Sequence, residues 1–527
     1  MLTRRTLLAA SASLAAPPLR AATPGNMLVI ARQIDDITSL DPHESFEASG
    51  AEVVSNLYER LIIPDPRDPS RLRGELAESW SVSEDGLTLR FVMRADAVFA
   101  SGQPVIAADA VFSLRRAVQL NKAPAFILGQ FGLTPGNVEG LVRTDGDRVV
   151  LLQTARRQAP SFVLYCLTAY VASVVERGLV LSHAAGDDLG NAWLRQNSAG
   201  SGPWTLRSWR ASEGVTLDRN PRHPASPAMS RVVIRHVADP TAQLLLLQQG
   251  DADIARNLSS DQLRGLAEAP GLRLVTGDRS ILMYLALNAS HPALAKPAVR
   301  QAIKWAVDYD GIQRNLAPLT WKVHQSFLPD GMPGAVSDRP FHKDAARARA
   351  LLAEAGLPDG FEITIDHPAI PPYAEIAQAL QANLAEVGIR AALLAGDQRQ
   401  IITKTRARQH QAALLYWGSD YFDPNSNAQA FCVNPDNTDA AAMRTVAWRN
   451  NWQDAALGSR AVANAQEADA AKRLDEYRSL QRDSRERDPF VLLLQQVEVA
   501  ATRSEVGGFV LGGLAGRTAF ATVTKAG

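Results

Sequence analysis

An α/β fold divided into more than one unit is what this sequence predicts, on three observations. Apolar runs of strand character alternate with segments whose apolar residues recur at helical spacing, the pattern of a sheet covered by helices. The chain has 527 residues, and at roughly 150 residues per domain that suffices for two to four units. No internal repeat, low-complexity tract or long linker interrupts it, so the units must be joined by short or multiple crossings.

The elements follow in order. Met27–Arg32 is a strand, and Gly50–Leu61 is a helix with Val53, Val54, Leu57, Tyr58 and Leu61 on one face. Thr88–Met93 alternates as a strand after Asp85-Gly86, where glycine supplies the positive φ of a hairpin turn. Ala107–Val118 is a helix with Asp109 in its first turn, which suits the helix dipole. Arg231–Val237 is a strand, and Pro240–Gly250 is a helix ended by its glycine. Tyr284–Asn288 is a strand, and Ala298–Val307 and Ala345–Ala355 are helices. Phe361–Asp366, Tyr373–Val387 and Ile389–Leu394 form a strand–helix–strand unit. Ala412–Trp417 is a strand leading into a polar loop, residues 467–482 are helical, and Phe490–Leu494 is a buried strand.

Hydrophobic residues are 46% and charged residues 21%, which excludes disorder by composition. The 55 basic and 55 acidic residues balance, so the basic excess that replaces counterions on nucleic acid is missing and no nucleic-acid partner is expected. Residues 1–22 read as an export signal. Arg4 and Arg5 precede a short apolar stretch, Ala21 and Ala22 offer a cleavage site, and Thr3-Arg4-Arg5-Thr6-Leu7-Leu8 resembles a twin-arginine motif. The apolar stretch is too short to span a bilayer. Arg4, Arg5 and Arg20 lie in this segment and no acidic residue does, so the remainder is mildly acidic. Cys166 and Cys432 are read as buried free thiols, because a core of this size needs no disulfide.

Sequence motifs for catalysis are largely missing. The nine histidines are scattered, with no pair at i, i+4 and no His-Glu-x-x-His, so neither a metal nor any other cofactor is expected. Neither a phosphate-binding loop nor a Gly-x-Ser-x-Gly elbow is present.

Several ordered pieces carry a resemblance. They include Ser39-Leu40-Asp41-Pro42-His43, Leu57-Tyr58-Glu59-Arg60-Leu61, Leu76-Ala77-Glu78-Ser79-Trp80 and Ser83-Glu84-Asp85-Gly86-Leu87-Thr88. Phe99-Ala100-Ser101-Gly102-Gln103-Pro104 leads to Ala107-Ala108-Asp109-Ala110-Val111-Phe112-Ser113. Then come Ser201-Gly202-Pro203-Trp204, Arg219-Asn220-Pro221, Gln249-Gly250-Asp251-Ala252-Asp253-Ile254 and Ala298-Val299-Arg300-Gln301-Ala302-Ile303. In this order they resemble the family 5 extracytoplasmic solute-binding proteins, the peptide, nickel and opine receptors of ABC importers. The resemblance implies a two-lobed periplasmic binding protein (type II-like, cluster C) with an extra subdomain. Residues 25–60, 175–284 and 490–527 would form the first lobe, 60–175 its extra subdomain and 285–489 the second lobe. The chain crossings near Leu285–Asn288 and Pro489–Leu494 would be the hinge. It implies a soluble monomer of the periplasm that is no enzyme, whose partners are a peptide or small-molecule ligand and a membrane permease.

It also implies site residues. The segment Tyr416-Trp417-Gly418-Ser419-Asp420-Tyr421-Phe422-Asp423-Pro424 places four aromatics and two carboxylates at and after the end of a buried strand. In peptide-binding members the aspartate at the position of Asp420 pairs with the ligand's α-ammonium. A desolvated ammonium needs such a partner, and Trp417 and Tyr421 offer ring faces beside it. Asp423-Pro424 reads as a structural turn. Past the Asp-Pro-His turn, family ligands lie along the backbone as an added strand, which would bring Phe46, Ala48 and Ser49 to the cleft. On its own residues that stretch is equally a solvated loop. Dipeptide-binding members hold the ligand carboxylate with an arginine; here that position falls near His367, and a neutral histidine cannot make the arginine fork. A longer peptide or an amine-bearing conjugate therefore fits better than a strict dipeptide. The competing readings are a nickel or opine receptor of the same family, or an exported hydrolase using Asp420 and Asp423.

Overall fold

The computed structural model describes residues 23–65, 68–512 and 518–526. The export-signal reading falls on residues 1–22, outside the described residues. Within them the alternation is borne out. Strands occupy Met27–Arg32 and Thr88–Met93, and the hairpin before the second carries Gly86 at φ +72°. The helix Pro240–Gln249 stops at Gly250 in the left-handed region, and Gly356 and Gly388 take positive φ just after Ala345–Glu354 and Tyr373–Ala385.

Two strands run far beyond what their apolar runs indicated. Tyr284–Asn288 is the end of a strand Leu272–Leu287, and Phe490–Leu494 is the start of a strand Phe490–Arg503. The first is continuously buried only over residues 282–287; the second is buried over 490–495 and again over 499–502, but only its first stretch is an unbroken apolar run of the kind a periodicity reading detects. The two strands pair antiparallel along their length. The register breaks in the middle, between Asp278 paired with Val497 and Leu282 paired with Gln495, and shifts again between Met283, paired with Leu494, and Tyr284, paired with Leu492.

They form the centre of an 11-stranded sheet. On one side of the break the sheet continues through Ile254–Ala255, Met27–Arg32, Arg231–His236, Gly214–Arg219 and Trp204–Arg210. On the other it continues through Ala412–Gly418, Phe361–Pro368 and Ile389–Gly396. Within each wing three strands are parallel, and the register directs their C-terminal ends at the break. Gly418 pairs with Ile281, while Ala255 pairs with Ala501 and heads toward Glu498. Loops from both wings therefore converge on residues 278–282, the crevice position where open α/β sheets hold ligands.

A separate four-stranded sheet, Ala77–Val82, Thr88–Met93, Val149–Gln153 and Val142–Thr144, is covered by the helix Ala107–Leu120 and has its own core around Phe91, Leu114 and Phe131. This unit is tied to the first wing by a fully buried ion pair. Arg116 Nη1 and Nη2 donate to the two Asp41 oxygens at 3.0 and 2.6 Å. Arg116 also lies 2.7 Å from His43 Nδ1, and His43 Nε2 lies 3.0 Å from the Ser173 carbonyl. Burial pushes the Asp41 carboxyl up, but the Arg116 bonds and charge outweigh that and hold it below its ordinary value. Burial and Arg116 push His43 down to about 4, so it stays neutral. The Asp-Pro-His turn is thus a fastener between units. Gly202 has a similar reason to be glycine: its N–H donates to the Leu57 carbonyl at 3.0 Å, and an added Cβ would sit 2.6 Å from the Leu57 carbonyl carbon.

The small unit also meets the second wing. Phe162 packs on Tyr421 with centroids 5.8 Å apart, and Tyr165 on Phe422 at 5.7 Å. Cys166 and Cys432 are buried and free, and burial raises both thiols.

Candidate functional site

The loop after strand Ala412–Gly418 is held by its own polar groups. Ser419 N–H donates to the Ser280 carbonyl at 3.2 Å, which fixes the loop to the register break. Ser419 Oγ and Trp417 Nε1 both donate to Asn427 Oδ1, at 2.8 and 3.3 Å, and Asn427 Nδ2 donates to the Phe327 carbonyl at 2.6 Å. The Asp420 N–H donates to Ser426 Oγ at 3.0 Å. Further on, Asp423 is fully buried and takes both Arg473 nitrogens, at 2.8 and 2.7 Å, while Asp423 Oδ1 accepts from the Asn425 N–H at 2.8 Å.

One group is left over. Among the described residues the half-buried Asp420 carboxylate has no hydrogen bond and no ion pair. Burial pushes it up to about 6, against the pull of the nearby Arg449 charge. A carboxylate desolvated this far without a partner costs stability in the ionised state, and it regains that cost when a cation arrives. Trp417 stands beside it, half-buried, with its ring edge-on to Phe431 at 6.1 Å.

The other sequence-derived residues divide into two groups. Across the break, the helix Ala48–Leu57 begins with Ala48 exposed and Ser49 buried. Phe46 is 43% exposed and meets the equally open Phe126 edge-on at 6.0 Å. Ser49 Oγ accepts from Arg32 at 3.1 Å, and Arg32 belongs to a buried network in which Glu52 joins Arg32 and Arg256 at 2.7 and 3.1 Å. The Arg256 and Arg32 charges hold Glu52 at about 2 despite burial. Arg256 also bonds Glu498, which Arg279 meets at 3.2 Å, so the network reaches both long strands at the break. Ser49 is thus buried on Arg32, Phe46 and Ala48 are exposed, and Trp417 and Asp420 are half-buried on the loop that Ser419 ties to the register break. Tyr421 and His367 are in packing. The Tyr421 ring is buried against Phe162 and its hydroxyl accepts from Asn425 at 3.2 Å; the His367 ring is buried with Nδ1 3.0 Å from the Pro368 carbonyl.

Sequence reasoning passed over Arg449, at the end of the short helix Val446–Arg449, whose guanidinium carbon lies 6.0 Å from the Trp417 ring centre. A lone arginine in Trp448-Arg449-Asn450-Asn451-Trp452 matches no motif. Among the described residues no three His, Cys, Asp or Glu side chains gather as a metal site, and no helix is long and apolar enough to cross a membrane.

An 11-stranded sheet whose two wings meet at two long central strands, with helices on each wing, is the architecture shared with two-lobed solute-binding receptors. Residues 71–439 match the model of the bacterial extracellular solute-binding proteins, family 5 Middle, and the chain belongs to that family. It is 27% identical to the probable D,D-dipeptide-binding periplasmic protein DdpA of Escherichia coli K12 over 96% of both chains. It is 24% identical to the glutathione-binding protein GsiB of Escherichia coli O1:K1 over 90% of both. Among solved structures, HbpA2 of Haemophilus parasuis superposes with a TM-score of 0.81 at 22% identity, over 95% of this chain and all of that one. NikZ of Campylobacter jejuni, in complex with Ni(L-His), superposes at 0.74 and 19% identity, again over 95% of this chain and all of that one.

Proposed function

We propose that this chain is an exported receptor that captures a peptide or related amine-bearing solute and presents it to the permease of an ABC importer. The observation that carries the reading is the unpaired, half-buried carboxylate of Asp420 at the crevice between the wings. An ammonium placed there gains a charge-assisted hydrogen bond and relieves a desolvated anion at once. The relatives named for peptide and glutathione binding support the same solute class. Trp417 lines the second-lobe side with Asp420, and Phe46, Ala48 and Ser49 line the first. Tyr421 and His367 hold the walls in place from the packing behind.

In this reading the first lobe is residues 25–60, 175–284 and 490–527, with 60–175 as its extra subdomain, and 285–489 is the second. The register break at 278–282 supports placing the hinge there, a few residues before the end of the first long strand. A ligand drives closure only by binding the closed form better, so it must touch both lobes. Residues 1–22 direct export by the twin-arginine route, and the receptor works in the periplasm as a monomer without nucleic acid. A hydrolytic carboxylate pair finds no support, because Asp423 is consumed by Arg473.

Native mass spectrometry of the protein purified from its own cells tests this reading. A co-purified peptide or amine, lost in Asp420→Asn, is the expected result. A bound sugar or a turnover product overturns it.

A further inference from the structure

The buried arginines of this fold are paired. Arg116 holds Asp41, Arg256 holds Glu52, and Arg473 holds Asp423. Elsewhere in the second wing, Arg408 donates to the Asn437 carbonyl at 2.9 Å, and Arg444 to the Asp439 carbonyl at 2.8 Å. Arg449 is different. Its Nε is sealed from solvent without a partner, as in Arg32 and Arg408, but among the described residues its whole guanidinium makes no hydrogen bond and no ion pair. The backbone around it is rigid: Thr445 caps the short helix, Asn450 Nδ2 donates to the Val446 carbonyl at 2.9 Å, and Asn451 Nδ2 donates to Asn288 Oδ1 at 2.8 Å. The side chain is held beside Trp417 with its donors unspent. Burial lowers the Arg449 guanidinium below its ordinary value.

Arg449 and Asp420 lie close enough for each charge to act on the other, yet they form no ion pair. Two desolvated opposite charges side by side would gain by meeting. The fold instead keeps both open around one tryptophan. Building on the receptor reading above, we infer that Arg449 is the anion anchor of the site, and that the solute is a zwitterion whose ammonium meets Asp420 and whose carboxylate meets Arg449. The guanidinium offers the planar fork that a carboxylate accepts in bidentate fashion, which the residue at 367 does not. Trp417 and Asp420 are three residues apart, so their backbones are separated by at most about 10 Å. With Arg449 against the Trp417 ring, the two anchors suit a short solute with both ends free.

The test uses tripeptides with randomised side chains in three forms: both ends free, N-acetylated and C-amidated. Capture by the whole protein is read by native mass spectrometry. Wild-type protein is expected to bind the free form, and C-amidation, which needs no change in the protein, to weaken capture by about tenfold to a hundredfold. In Arg449→Gln the free and amidated forms should be captured alike, and Arg449→Lys should regain part of the preference. Asp420→Asn should lose the preference for a free amine and keep the one for a free carboxylate. Equal capture of free and amidated peptide by wild type, or a preference that survives in Arg449→Gln, overturns the inference and leaves the receptor reading standing. Capture of none of the three forms by wild type contradicts both.

Discussion

Asp420 and Asp423 sit three residues apart on one loop, and the fold treats them oppositely. Asp423 is fully buried and takes a two-bond pair from Arg473, with a backbone N–H besides. Asp420 is half-buried and keeps its N–H on Ser426, and among the described residues its carboxylate has no hydrogen bond and no ion pair. A compensated buried charge belongs to the scaffold, whereas an uncompensated one is a place prepared for something else. The difference teaches that sequence proximity to a motif says little about role, and that the partner of each carboxylate decides it.

The comparison can be broken in descending order of effect. Asp423→Asn, or Arg473→Met, strands one member of a buried pair and should cost about 3–5 kcal/mol of stability, read from the urea midpoint. A loss below about 1 kcal/mol would remove Asp423 from the scaffold. Asp420→Asn should do the reverse, reducing affinity for a free-amine peptide by about a hundredfold in calorimetry, with no loss of stability. The sign follows from its carboxyl at about 6 in the fold against an ordinary 3.8. Ionisation is penalised in the folded state, so wild type is disadvantaged above pH 6, and its gap to Asp420→Asn closes as pH falls from 6 toward 3.8.

The same group sharpens the contrast through binding. Affinity of wild type should drop by about tenfold per pH unit below 6, as the neutral carboxyl loses its attraction for an ammonium. Asp420→Asn should show no such slope. A slope that persists in that variant would assign the titration elsewhere. The smallest effect belongs to the facing wall. Phe46→Ala should weaken capture by only about threefold to tenfold, because an exposed ring contributes surface rather than charge.

Much of the fold was legible from residues alone. Glycines 250, 356 and 388 end their helices where the left-handed geometry requires them, and strands Met27–Arg32 and Thr88–Met93 follow their alternation. The long strands were legible only over their unbroken apolar runs. Over Leu272–Ile281 the chain is partly exposed on both faces, and neither an apolar run nor clean alternation marks it. The site was half legible. Asp420 and Trp417 stood out through their loop, and Asp423 read correctly as structural. Tyr421 and His367 could not be sorted from sequence, because whether a ring faces a crevice or a neighbouring core depends on the packing of the 160–166 helix and of the sheet edge. Arg449 left no mark at all, since an unpaired arginine is recognisable only when every possible partner is in view. The Asp-Pro-His motif shows the converse. Its meaning as a fastener appears only once Arg116, 75 residues away, closes on Asp41.

The carbon-13 titration of the Asp420 carboxyl, followed by NMR with and without a bound free-amine peptide, tests the central claim most directly. The midpoint is expected at about 6 in the free protein and below the ordinary carboxylate value of 3.8 when the ammonium is in place. A midpoint that stays near 6 with peptide bound would contradict it.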